Sequence, residues 1–299
     1  MEVLIQQNIT GGLGDFTSSM YRYFHLADKM RENGFTKISL YVNMKLCIMF
    51  DKEFFYKLYD KSLFDKVFDQ VSISENPIVD LVHDGLTFTN FYGENKVGFN
   101  EFDFFISDNI SVDKNFFCNL YFLEITTPKY INFFSDFVME RYYKMNVHKN
   151  DQYKSLHFRS RDFGDNIDLY THHEDEFKDI IFNKGKVFVC SNSYKFKEYI
   201  KSFNSPNVFM FDLPFEKEFG NHLSVLPFND EFGKDEYESK TIDAAVECLT
   251  IADSNEVFSF NFFGNVCSLF LGPAKWKSVN IKIIPLKNGL SPSTDYRIN

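Results

Sequence analysis

The chain has 299 residues, enough for two domains of ordinary size, and its 44% hydrophobic and 25% charged residues are globular proportions that exclude a disordered chain. A net charge of −10 excludes a nucleic-acid binder, because phosphate backbones call for a basic surface. It leaves room for a small phosphate-bearing ligand held by one or two arginines.

Residues 3–5 form a short apolar run that starts a strand. A turn-like segment follows, Asn8-Ile9-Thr10-Gly11-Gly12-Leu13-Gly14-Asp15. Beyond it Phe16, Met20, Tyr23, Ala27 and Met30 recur at three- or four-residue spacing, which predicts a helix with one apolar face. Asp15 or Thr17 suits its N-cap and Gly34 its end. Residues 38–42 alternate and read as a second strand. Strand, Gly-rich turn, helix and strand in that order open an α/β domain. The stretch 50–135 is rich in Phe, which reads first as core material. Buried strands are expected at 80–83 and 102–106. A helix is expected over 130–145, with Ile131, Phe134, Val138, Tyr142 and Met145 on one face.

The polar segment His148-Lys149-Asn150-Asp151 then marks a domain boundary, giving domains 1–150 and 151–299. The second half restarts the same rhythm. Strands are expected at 155–158, 186–190, 207–211 and 256–260, and helices at 174–183 and 241–253, with another helix after the last strand. Two such halves predict two Rossmann-like domains facing a central cleft, with ligands at the carboxyl ends of strands.

The five cysteines, Cys47, Cys118, Cys190, Cys248 and Cys267, include no CxxC pair. They read as buried free thiols of a reducing compartment. No apolar run reaches the roughly 18 residues of a membrane span. The N-terminal sequence Met1-Glu2-Val3-Leu4-Ile5 lacks a basic signal region. The expectation is a cytoplasmic protein with no membrane span, bacterial or virus-encoded.

Three segments carry chemistry. Gly11, Gly12 and Gly14 let backbone come close to a ligand and leave N–H groups free at a helix N-terminus, where anions are favoured. The loop is neither a Walker loop nor a GxGxxG, and a plain turn fits it as well. His157-Phe158-Arg159-Ser160-Arg161-Asp162 ends a predicted strand. Alternation sends His157, Arg159 and Arg161 to one side, and two guanidinium groups together neutralise a diphosphate. Fixed cations at a leaving diphosphate stand in for a metal. An ordinary salt-bridged surface strand is the competing reading. Asp162, Asp165 and Asp168 follow on a short loop, as a general base for a hydroxyl or as a solvated turn. His172-His173-Glu174-Asp175-Glu176 is rich in ligand types but lacks HExxH spacing, and reads as a solvated helix start. No metal site is expected.

Together these segments resemble the fucosyltransferase superfamily that includes the nodulation α-1,6-, core α-1,6- and α-1,2-fucosyltransferases and the protein O-fucosyltransferases. Gly11-Gly12-Leu13-Gly14-Asp15 is similar to its N-terminal Gly-Gly-Leu-Gly-Asn loop. His157-Phe158-Arg159-Ser160-Arg161-Asp162-Phe163 is similar to its His-x-Arg motif. Val187-Phe188-Val189-Cys190-Ser191-Asn192-Ser193 is similar to the strand ending in Ala-Thr-Asp-Asp. The stretch 244–264 is similar to the C-terminal helix, strand and Ser-rich turn, which places Ser259 among the binding residues.

The resemblance implies a GT-B fold with an acceptor-side N-terminal domain and a GDP-fucose-binding C-terminal domain. It implies inverting transfer of fucose to a glycan hydroxyl without metal or other cofactor. By position, Arg159 falls on the arginine that binds the GDP diphosphate, and His157 helps shape the nucleotide pocket. Asn192 and Ser193 fall on the Asp-Asp pair, with Ser191 just before them. Gly12 and Gly14 approach the sugar phosphate. Asp165, then Asp162 and Asp15, are the candidate bases. The sequence departs from the family at Ser160, Asn192 and Ser193, which leaves open another GDP- or UDP-sugar donor, or a non-catalytic nucleotide- or carbohydrate-binding protein.

Overall fold

The computed structural model describes residues 2–7, 20, 23–25, 27–28, 30–32, 34–43, 52–74, 134–148, 150–159, 171–191, 193–211, 234–261, 273–274 and 277–286. The chain divides into two compact units, Met1–Val138 and Met139–Asn299.

Among the described residues of the first unit three parallel strands pair in the order β1 (Glu2–Gln7), β2 (Lys37–Asn43), β3 (Gln70–Ser74). The helical residues between 20 and 32 bury Met20, Tyr23, Ala27 and Met30, as the spacing predicts, and Phe24 with them. Their end is a left-handed glycine cap. Gly34 has φ +86°, its N–H donates to Arg31 O at 3.0 Å and that of Phe35 to Met30 O at 3.1 Å. A side chain at Gly34 meets no neighbour, so its φ is what calls for glycine.

Two short helices, α1 (Lys52–Leu58) and α2 (Lys61–Val67), precede β3. Asp60 separates them by capping α2, its carboxylate accepting from Ser62 N–H at 2.9 Å. Their phenylalanines form an edge-to-face cluster: Phe64 packs 4.8 Å from Phe24 and 5.1 Å from Phe55, ring centre to ring centre.

The helix expected over 130–145 is shorter, α3 (Asp136–Met145). Phe134 sits in an antiparallel bridge with Tyr59, and Ser135 N–H donates to Leu58 O at 3.0 Å. Those bonds hold the backbone extended, so the helix starts only after Ser135, whose hydroxyl accepts from Val138 N–H. The strands expected at 80–83 and 102–106 lie outside the described residues.

Among the described residues of the second unit five strands, all parallel, pair in the order β6 (Val208–Phe209), β5 (Val187–Ser191), β4 (Lys154–Phe158), β7 (Glu256–Asn261), β8 (Asn280–Pro285). The intervening helices are α4 (Glu174–Asn183), α5 (Tyr194–Lys201) and α6 (Lys234–Ala252). Counted from β4, the order is 3-2-1-4-5, the doubly wound plan. The chain moves outward from β4 through β5 to β6, then crosses back to β7 on β4's other side. The order therefore reverses between β4 and β7.

One face of this sheet is apolar. Leu156, Phe158, Val187, Val189, Phe258 and Phe260 pack with Phe177, Ile180 and Ile181 of α4 and Phe196 and Ile200 of α5. Phe158 stacks on Phe196 with ring centres 4.1 Å apart. Each such side chain contributes about 1.5–3 kcal/mol by leaving water.

Two expected elements change length. The strand at 207–211 shrinks to Val208–Phe209, and the helix at 241–253 starts at Lys234. β8 and α5 carry no clear sequence signal apart from Ser193, which caps α5 by accepting from Phe196 N–H at 3.0 Å.

Candidate functional site at the strand-order reversal

Strand alternation turns every second residue of β4, β5 and β7 away from the apolar face. The parallel registers align Cys190, His157 and Ser259 as one rung across β5, β4 and β7. The rung is one residue from the carboxyl end of β4 and spans the order reversal, where ligands of doubly wound sheets bind.

All three residues are buried. His157 Nδ1 lies 3.0 Å from Ser259 Oγ, so a hydrogen bond joins β4 to β7 on the side-chain level as well. Burial, aided by the nearby Arg159 guanidinium, pushes the His157 imidazole down to about 3. It is therefore neutral at physiological pH, with one ring nitrogen donating and the other accepting.

Arg159 is the first residue past β4. Its N–H donates to Phe260 O at 2.9 Å, extending the β4–β7 ladder by one bond and fixing where the side chain leaves the sheet. Arg159 is half-buried, and beside it the histidine is uncharged. The arrangement presents a guanidinium fork at a carboxyl edge next to a neutral imidazole, which suits phosphate oxygens.

At the end of β5, Ser191 and Ser193 are buried, and their hydroxyls order the backbone. Ser193 N–H donates to Ser191 Oγ at 3.0 Å, and Ser193 Oγ caps α5. The structure thus brings His157, Arg159 and Ser259 together and sets Ser191 and Ser193 on the neighbouring strand end. Gly11, Gly12, Gly14, Asp15, Arg161, Asp162, Asp165 and Asn192 lie outside the described residues.

Over the rung's face lies α6, and here sequence reasoning missed the main feature. Its apolar residues Ile242, Val246, Leu249 and Ile251 are buried, but so are Glu238, Lys240, Asp243 and Glu247. Cys190 Sγ donates to Glu247 Oε2 at 3.3 Å, and Lys197 Nζ donates to Glu247 Oε1 at 2.7 Å. Arg141 Nε pairs with Asp243 at 2.6 Å. Desolvation pushes both carboxyls up, and the cations opposite act against it. The only signal in the sequence is charge at 238, 240, 243 and 247 in a helix that also carries Lys234, Asp235 and Glu236, a pattern that reads by default as a solvated face.

The polar stretch 172–176 is the solvated helix start expected, with His172 and Asp175 exposed and Glu174 and Glu176 partly so, except at one residue. His173 does not stand in solvent at the start of α4. It is buried, with ring centres 5.5 Å from Phe260 and 6.2 Å from Phe177. Cys190 and Cys248 are buried free thiols, as expected, and burial pushes both well up.

No family model and no curated protein sequence matches the chain. Solved structures do. Fucosyltransferase NodZ from Bradyrhizobium superposes with a TM-score of 0.57 at 12% identity, over 95% of this chain and 94% of that one. NodZ alpha-1,6-fucosyltransferase soaked with GDP-fucose gives 0.58 at 14% identity, over 95% and 94%. The same enzyme co-crystallised with GDP gives 0.54 at 12%, over 96% of each chain.

The fold is α/β and GT-B-like. Both units carry the parallel, Rossmann-like sheet that the sequence order predicts. Among the described residues no helix is long and apolar enough to cross a membrane.

Proposed function

We propose that the protein is an inverting, metal-independent glycosyltransferase that moves fucose from GDP-fucose to a glycan hydroxyl. The observation that carries this reading is the position of Arg159, one residue past β4 at the order reversal, beside neutral His157 bonded to Ser259. The shared fold with structures of NodZ holding GDP or soaked with GDP-fucose supports it.

In this reading the second unit holds the donor and the first takes the acceptor. Arg159, assisted by Arg161, balances the charge that builds on the departing GDP as the bond from fucose C1 to the diphosphate oxygen breaks. The acceptor oxygen forms the new bond at C1 and gives its proton to a loop carboxylate, Asp165 first, then Asp162 or Asp15. His157 stays neutral, so it shapes the pocket without competing for phosphate charge.

One observation favours a second donor. The hydroxyls of Ser191 and Ser193 serve the turn and the cap, and no acid stands at 192 or 193, where the family resemblance expects two. A different GDP- or UDP-sugar fits that change.

Calorimetric titration with GDP and UDP in EDTA, on wild type and Arg159→Ala, tests the proposal. GDP binding without metal, no UDP binding and loss in the variant are expected. Failure of wild type to bind either nucleotide would overturn it.

A further inference from the structure

The buried ion pair Lys197–Glu247 plays no part in the proposed chemistry, yet four segments meet on it. Lys197, on α5, donates to Glu247 Oε1 at 2.7 Å and to Phe211 O at 3.0 Å. Glu247, on α6, accepts from Cys190 Sγ with its other oxygen. Both side chains are nearly inaccessible, 6% and 3% exposed.

Burying two charges is unfavourable, and an apolar pair of similar volume is commonly as stable or more so. Stability alone does not account for the pair. What it does, and an apolar pair does not, is hold particular atoms in place. Cys190 is the rung neighbour of His157, and Phe211 O belongs to the chain just past β6. In the doubly wound plan the diphosphate sits at the end of the first strand, here β4, and the ribose at the end of the second, here β5. The pair therefore ties the ends of β5 and β6 to α6 on the side where a nucleoside is expected.

We infer that Lys197 and Glu247 are positioning residues for the nucleoside half of the donor, holding the ends of β5 and β6 through a charged, hydrogen-bonded link. The inference rests on the GDP-sugar reading above. It assigns the pair to nucleoside affinity rather than to the diphosphate, which Arg159 takes.

The test uses the full chain in two double variants, Lys197→Met with Glu247→Leu and Lys197→Met with Glu247→Gln. Thermal unfolding is read beside calorimetric titration with GDP and with inorganic pyrophosphate. At least one variant keeps a Tm near wild type, since neither buries an unpaired charge. In that variant GDP is expected to bind about 10-fold more weakly, because the strand ends lose the side-chain link that holds them in place. Pyrophosphate binding is expected to be unchanged.

A folded variant that binds GDP as wild type does overturns the inference, and so does one that loses GDP and pyrophosphate equally. If both variants unfold, the pair is a stability element and the inference falls. If wild type itself binds no GDP, the donor assignment fails first and takes the inference with it, a result distinct from a change confined to the variants.

Discussion

The two faces of the second sheet are built from the same strands but solve different problems. Toward α4 and α5 the side chains are Leu156, Phe158, Val187, Val189, Phe258 and Phe260, a dry layer of aromatic and branched groups. Toward α6 the central rung is Cys190, His157 and Ser259, and the covering helix brings Asp243 and Glu247, each with a cation from another element. The apolar face supplies stability that does not depend on direction. The polar face exchanges some of that stability for fixed hydrogen-bonding atoms at the order reversal. The comparison teaches that in this fold one sheet face holds the unit together while the other places groups.

The largest effect should come from cutting the apolar face. Phe177→Ala removes a ring that packs 4.6 Å from Phe260 and 5.2 Å from Phe196, and should destabilise by about 3–5 kcal/mol in urea unfolding. A loss below about 1 kcal/mol would deny that this face carries the stability.

Next, Arg159→Ala should leave the unfolding midpoint close to wild type while turnover with GDP-fucose falls by roughly 10² or more. Unaltered turnover would remove Arg159 from the site, and a collapsed midpoint would make it structural.

The third prediction concerns pH. His157 holds its proton only below about 3 in the folded protein, whereas the unfolded imidazole takes one below about 6.5. Between these values the unfolded state binds more protons, so stability rises with pH and is lost as pH falls from about 6.5 toward 3. Moving from pH 7 to pH 5 should cost about 2 kcal/mol through this group alone. The share should vanish in His157→Gln, and equal pH slopes for the two proteins would show that the rung does not hold a neutral imidazole.

The smallest effect is at the strand end. Ser193→Ala removes the α5 cap and should cost about 1 kcal/mol in the same urea assay. No loss would free the Ser193 hydroxyl from its structural duty and return it to the ligand.

Much of this was legible in the sequence. Alternation located β2, and three-to-four spacing the buried stripe Met20, Tyr23, Ala27 and Met30, because those patterns follow from how many residues each element spends per turn or pleat. The motif His157-Phe158-Arg159 also announced a strand end bearing a cation. Sequence reading lost the two short helices before β3, since a Phe-rich stretch has apolar residues at every period at once. It began α3 too early, because the bridge from Phe134 to Tyr59 joins residues far apart in the chain.

By itself the sequence determined many of the local elements, the α/β rhythm and the charged strand end, because these depend on neighbours a few positions apart. Only the tertiary structure decided that β7 returns beside β4, that His157 meets Ser259, and that the charges of α6 are buried against Lys197 and Arg141 rather than solvated. Each of those facts joins residues 50 or more apart, and whether a charged side chain meets water or a partner is fixed by packing, not by its neighbours in the chain.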